Sequence, residues 1–236
     1  MMDARPFHFK HFSLFHHRST MKVGTDAVLL GRWVEVNPTD VVLDIGTGCG
    51  IMPLMLAQKG AKRIDAVELD AVSANEAEIN FTASQWRDKL RVYNVDIQNY
   101  ASSERYDLVI SNPPFFINSY KSETERKNLA RHTDDSLSFA GLCASASRLL
   151  KDDGRFAVVL PLTESVEFLK EAERNGLYQS RRMEIVPVEG KEPNRVNLEL
   201  RKALSERIDM EQFVIRGIND KFTRRYHEFL NDFYLG

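Results

Sequence analysis

Between residues 41 and 175 short apolar runs alternate with segments of helical period, and no other feature limits the possible folds so strongly. Val41-Val42-Leu43-Asp44-Ile45 reads as a buried strand, and residues 51–59 follow with a helical pattern. Residues 63–68 read as a second strand, followed by a helix over 70–85. The spacing predicts further strands at 90–95, 106–111 and 156–160, and helices at 136–151 and 163–175 with Gly176 as the stop. Such alternation requires crossover connections, and hence a mostly parallel sheet with helices on both faces. Beyond Gly176 the pattern changes. Met183-Glu184-Ile185-Val186-Pro187 and residues 195–200 and 213–215 read as late strands of antiparallel character. No internal repeat or linker divides the 236 residues, so one α/β domain is expected. Residues 1–35 form its N-terminal extension and 116–135 a long loop.

Composition removes several classes of function. With 43% hydrophobic residues and only 20 glycines and prolines together, the chain can bury a core and does not resemble a disordered or fibrous sequence. Its apolar runs fall well below the roughly 18 residues of a membrane helix. The first residues include Lys10, His11, His16, His17 and Arg18 without an unbroken apolar stretch, so no secretory signal is expected and the cytosol is the expected compartment. Two cysteines, Cys49 and Cys143, suit free thiols. The six histidines lack ligand spacing, so no metal is expected, and a monomer is the expected state. A formal charge of −2 leaves nucleic-acid affinity to local patches.

Asp44-Ile45-Gly46-Thr47-Gly48-Cys49-Gly50 falls where a strand gives way to a helix. Three glycines in five residues let the backbone turn tightly and approach a ligand at the carboxyl edge of a parallel sheet. The spacing is G-x-G-x-G, whereas a nicotinamide-dependent oxidoreductase would need G-x-G-x-x-G. Asp44 would repel a pyrophosphate but suit a ligand carrying an ammonium and a sulfonium. Glu68 closes the second strand, where it can accept from ribose hydroxyls, and Asp70 reads as the cap of the next helix. Asp96 closes the third and can accept from an adenine amino group, with Leu69 or Ile97 against the ring. One such acid is usually a solvated loop residue, but three at successive strand ends form a constellation. Here the chain resembles the class I S-adenosylmethionine-dependent methyltransferases. That resemblance implies a Rossmann-like α/β fold with a seven-stranded, mostly parallel sheet whose last strand is antiparallel.

The fourth strand ends in Ser111-Asn112-Pro113-Pro114-Phe115. The lone pair of an aromatic amine is delocalised into its ring, so activating it requires acceptors for both amino hydrogens. Asn112 Oδ1 and the Pro113 carbonyl can serve, the prolines fix the backbone, and Phe115 offers a face for stacking. This motif is similar to that of methyltransferases acting on the amino groups of adenine, guanine or glutamine amides. Residues 21–31, 110–115, 129–133, 214–217 and 233–235 extend the resemblance over nearly the whole chain, to the bacterial tRNA (valine) adenine-N6 methyltransferase family. The resemblance implies S-adenosylmethionine as cofactor and tRNA as substrate. It implies Asp44, Gly46, Gly48, Glu68, Leu69, Asp96, Ile97 and Asn112 as cofactor contacts, with Lys22, Thr25 and Asp26 near the methionine end. Asn112, Pro113 and Phe115 would hold the target base. Two positions depart from the pattern: Phe115 stands where many relatives have tyrosine, and Cys49 where a serine or another small residue is usual.

Sequence support for RNA contact is local. Residues 116–135 carry Lys121, Arg126 and Lys127, with Arg131 near their end, partly offset by Glu123, Glu125, Asp134 and Asp135. The first 22 residues set Arg5, Lys10, Arg18 and Lys22 against Asp3 alone, interleaved with Phe7, Phe9, Phe12 and Phe15. Such a mixture suits phosphate contact with base stacking, but for the aromatics a segment packing its phenylalanines onto the domain is the favoured expectation. Arg216, Lys221, Arg224 and Arg225 form a third basic group against Asp220, where a solvated helix is expected, with Arg224 and Arg225 as weaker candidates for RNA contact. The expected function is methylation of an adenosine N6 in tRNA. A guanine-N2 methyltransferase of ribosomal RNA, a glutamine-N5 methyltransferase of protein, and a non-catalytic cofactor- or RNA-binding module are the alternatives.

Overall fold

The computed structural model describes residues 5–19, 22–114 and 137–235. Two short antiparallel strands, Phe7–His8 (β1) and Ser13–Leu14 (β2), precede helix Thr25–Trp33 (α1). The alternating part then runs Val41–Ile45 (β3), Ile51–Gln58 (α2), Arg63–Glu68 (β4), Ala71–Ala83 (α3), Leu90–Asn94 (β5) and Tyr106–Ser111 (β6). From residue 137 onward come Phe139–Leu149 (α4), Leu150–Pro161 (β7), Leu162–Arg174 (α5), Tyr178–Val188 (β8), Arg195–Arg201 (β9), Asp209–Arg216 (β10) and Arg224–Leu230 (α6). Three of the helices start at side-chain caps: Asp70 accepts from Ser73 N, Ser138 from Gly141 N and Thr223 from Tyr226 N.

Strands β3 to β10 form one sheet in the order β10-β8-β9-β7-β6-β3-β4-β5. All five residues of β3 are buried, as befits a strand with neighbours on both sides and helices on both faces. One core, containing Val28, Leu29, Leu54, Met55, Phe81 and Phe213, lies on the face covered by α1, α2, α3 and α6. The other, containing Leu43, Ile45, Leu142, Ala146, Phe156 and Phe168, lies beneath α4 and α5.

The α/β architecture is the expected one, with two differences in the sheet. Among the described residues it has eight strands, one for each segment read as a strand, where the resemblance implied seven, and its antiparallel member is the penultimate strand β9, not the last. A short turn through Gly190, with φ +79°, folds β9 back between β7 and β8. The edge beyond β8 is then open, and β10 pairs with it in parallel from Asp209 to Arg216. The third strand ends at Asn94, so Asp96 stands in the turn beyond it, where its Oδ1 accepts from Gln98 N at 2.9 Å.

Candidate active site

The chain leaves β3 toward β4 on one side, while β6 returns to pair with β3 on the other. Strand order therefore reverses between β3 and β6, which is where open α/β sheets bind ligands, outside the carboxyl ends of the strands. A cavity of about 580 Å³ lies there. Its walls come from four strand ends: Ile45 and Gly46 after β3, Val67 to Asp70 after β4, Val95 to Gln98 after β5, and Ser111, Pro113 and Pro114 after β6, with Leu137 closing the rim. A second cavity, of about 480 Å³, lies between the ends of α2 and α3 and the C-terminal tail, away from this edge. There the Lys59 ammonium donates to the carbonyls of Gly31, Arg32 and Val34 and closes the end of α1.

The glycine loop is pinned to the strand beside it. Gly46 N and Thr47 N donate to the Val67 carbonyl at 2.8 and 3.2 Å, and Gly48 N donates to Glu68 Oε2 at 2.8 Å. Gly46, Gly48 and Gly50 all have φ in the left-handed region, so a side chain at any of them would be strained. Glu68 Oε1 accepts from Asp70 N at 2.9 Å, so each carboxylate oxygen carries one backbone donor and keeps a lone pair. Asp70 caps α3, as expected: its Oδ2 accepts from Ser73 N and Ser73 Oγ, and these bonds hold its carboxyl below the usual range.

Asp44 and Asn112 have polar atoms that the fold leaves unsatisfied. Asp44 is completely buried, and neither of its carboxylate oxygens has a hydrogen-bond partner among the described residues. Burial pushes its carboxyl up to about 7; the nearby Thr47 hydroxyl, outside bonding geometry, opposes this in part, and the Glu68 carboxylate adds to it. By strand alternation Asp44 falls on the Val42 side of β3, the side covered by α1, α2 and α3. Asn112 Oδ1 is likewise buried without a partner among the described residues. It directly follows Ser111, whose hydroxyl donates to the Ile45 carbonyl at 2.8 Å and ties the end of β6 to that of β3.

The cavity wall brings together Gly46, Glu68, Leu69, Asp96, Ile97 and Pro113 of the residues singled out from sequence. Asp44, Gly48 and Asn112 adjoin it without lining it. Lys22 and Thr25 are exposed at the approach to α1, and Asp26 is occupied by Arg195, whose Nε donates to its Oδ2 at 3.1 Å. Of the apolar wall residues, Val67, Val95 and Leu137 carried no motif, and for Val67 and Val95 only their places at or just beyond strand ends could have revealed them.

Residues 13–171 match the family described as "Methyltransferase small domain". A tRNA1(Val) (adenine(37)-N6)-methyltransferase of Phocaeicola vulgatus is 39% identical over 229 residues, covering 97% of each chain. One of Tolumonas auensis is 40% identical over 236 residues, covering 99% of this chain and 98% of its own. The chain belongs to the tRNA1(Val) (adenine(37)-N6)-methyltransferase family. Among solved structures, a "predicted O-methyltransferase" from Agrobacterium tumefaciens superposes with a TM-score of 0.62 at 16% identity, covering 88% of this chain and 96% of that one, a likeness of fold.

In this tRNA1(Val) methyltransferase family member, several aromatic and basic residues singled out near the two ends have partners within the domain. Phe9 and Phe12 are buried and stack on each other at 4.6 Å, and Phe9 stacks on Tyr234 at 5.5 Å, so these rings pack onto the domain. Lys10 donates to the carbonyl and Oδ1 of Asn231. Arg224 pairs with Glu228 at 2.6 Å, and Arg225 with Glu211 at 2.7 Å. Arg18 is exposed, with no acidic side-chain partner among the described residues. Phe115, Lys121, Arg126, Lys127 and Arg131 lie outside the described residues. Both cysteines are free and buried, and burial pushes each thiol up to about 12.

Proposed function

We propose that this chain transfers a methyl group from S-adenosylmethionine to the N6 amino group of an adenosine in tRNA, the one next to the anticodon of valine tRNA, and that it works in the cytoplasm. The observation that carries the reading is the unpartnered Asn112 Oδ1, buried beside Pro113 at the point where the strand order reverses. A buried acceptor without a donor costs on the order of 1–3 kcal/mol, and a substrate amine relieves that cost. The names of relatives that match over almost the full length point to the same substrate.

The residues present fit the cofactor. The unpartnered Asp44 carboxylate suits a ligand cation, the free lone pairs of Glu68 suit a ribose, and Leu69, Asp96 and Ile97, which all line the cavity, suit an adenine ring and its amino group. When bound, S-adenosylmethionine supplies a sulfonium methyl already activated for displacement. The chain's own contribution is alignment and charge. Asn112 Oδ1 and the Pro113 carbonyl accept from the two amino hydrogens, orient the nitrogen lone pair and stabilise the positive charge that develops on the amine. Phe115 holds the base by stacking, and the anticodon loop lets the adenosine turn outward at less cost than from a duplex.

Purified protein incubated with methyl-labelled S-adenosylmethionine and, separately, total tRNA, ribosomal RNA and cell protein tests this directly. After digestion and mass spectrometry, label is expected as N6-methyladenosine in tRNA alone. Label in guanine or glutamine would overturn the substrate.

A further inference from the structure

Helix α3 carries two polar side chains on the face that backs the glycine loop, and neither belongs to a motif. Glu76 is 2% exposed and Asn80 is 1% exposed. The Glu76 carboxylate receives three successive backbone donors from the N-terminal strap: His17 N and Arg18 N on Oε1, both at 3.0 Å, and Ser19 N on Oε2 at 2.8 Å. Asn80 is shared between strap and loop. Its Oδ1 accepts from Phe15 N, and its Nδ2 donates to the carbonyls of both Phe15 and Cys49, all at 2.8 Å. The Ser19 hydroxyl lies beside the Cys49 thiol. Further along, His16 Nδ1 accepts from Val23 N at 3.1 Å and draws in the approach to Thr25 and α1.

A buried carboxylate is costly unless its oxygens are satisfied, and here three main-chain donors meet that demand. We propose that Glu76, assisted by Asn80, is a positioning residue of the cofactor site. It holds residues 15–19 against the back of the glycine loop, and so fixes the Cys49 corner and the approach to Lys22 and Thr25 before the ligand arrives. The inference rests on the cofactor reading above. Its geometric basis is that one helix face grips both segments, on the side of the sheet where the unpartnered Asp44 carboxylate lies.

The rest of the strap has anchors of its own. Phe9, Phe12 and Leu14 are in the core, and Lys10 is bound to Asn231. Asn80 still holds Phe15, so losing Glu76 frees residues 17–19 and leaves residues 7–15 docked.

The test compares wild type with Glu76→Ala and Glu76→Gln by calorimetry with S-adenosylmethionine, by amide hydrogen exchange at residues 17–19, and by tRNA methylation kinetics. Glu76→Ala should speed exchange at those amides and weaken cofactor binding about tenfold, as expected if only a tenth of the molecules keep the strap in place. Its KM for S-adenosylmethionine should rise in step, with kcat at saturation within about threefold of wild type. Glu76→Gln keeps an oxygen for His17 N and Arg18 N but turns an amide toward Ser19 N, so it should fall between the two. If Glu76→Ala does not fold, Glu76→Gln carries the comparison alone. Wild-type cofactor affinity in a folded variant whose strap amides exchange faster overturns the proposal. So does a loss of kcat at unchanged KM. Calorimetry needs no RNA, so wild type that binds cofactor but methylates no tRNA would overturn the substrate and leave the Glu76 comparison intact.

Discussion

Asp44 ties stability and ligand affinity to one titration. Its folded carboxyl sits near 7, above the ordinary 3.8, so the folded state without ligand holds that proton more tightly than the unfolded chain. Stability is gained as pH falls through 7, and the burden of the ionised form is complete above it. Asp44→Asn should therefore stabilise the ligand-free protein by roughly 3–4 kcal/mol at pH 8 and by almost nothing near pH 4, which denaturant melts at the two pH values would show. The same variant should lose most of its affinity for S-adenosylmethionine. Wild-type affinity should fall by up to about tenfold per pH unit below 7, because a cation prefers the ionised carboxylate. On the proposed reading, Asn112 separates binding from chemistry. Asn112→Ala should lower kcat by roughly 10²–10³, the loss typical of one aimed acceptor or donor, with calorimetric cofactor affinity nearly unchanged. A turnover equal to wild type would remove Asn112 from the reaction.

At the level of elements, the turn from β3 into α2 is held by shape as well as by hydrogen bonds. Gly50 has φ +84°, and a Cβ there would stand 2.5 Å from Phe81 Cε1 on α3. Gly50→Ala combines left-handed strain with overpacking and should cost roughly 2–4 kcal/mol in chemical denaturation. Adding Phe81→Leu should return part of the steric share and none of the backbone share. Sequence showed that this corner is a turn because glycines at 46, 48 and 50 disfavour helix and strand alike. It did not show that α3 backs the corner, because Glu76, Asn80 and Phe81 read as ordinary helical positions. The strap differs in the same way: its phenylalanines and cations were visible at once, but whether the rings met bases or the core depended on Tyr234, some 220 residues along the chain.

Across the whole molecule, the end of the sheet opposite the site is closed by a buried ion pair. Arg155 Nη2 meets Asp40 Oδ2 at 2.7 Å, and Arg155 Nη1 donates to the Glu35 carbonyl, so β7 is tied to the segment between α1 and β3. Arg155→Met leaves the Asp40 charge buried and should cost roughly 3–5 kcal/mol in a urea melt, most of it recovered by adding Asp40→Asn. The alternating order of strands and helices, the bounds of β3, β4 and β6 and the place of Glu68 at the end of β4 were legible in the sequence, because period, glycine spacing and capping residues act over a few neighbours. The antiparallel place of β9, the parallel pairing of β10 beyond β8, the Arg195 pairing that occupies Asp26 and the acids that take Arg224 and Arg225 were not. Each depends on which distant segments lie side by side, and that is decided by packing over the whole chain. The sequence by itself determined the order of the elements and the chemistry at their ends; only the tertiary structure decided which of those polar atoms found partners and which, like those of Asp44 and Asn112 Oδ1, found none among the described residues, because burial and satisfaction are properties of the assembled core.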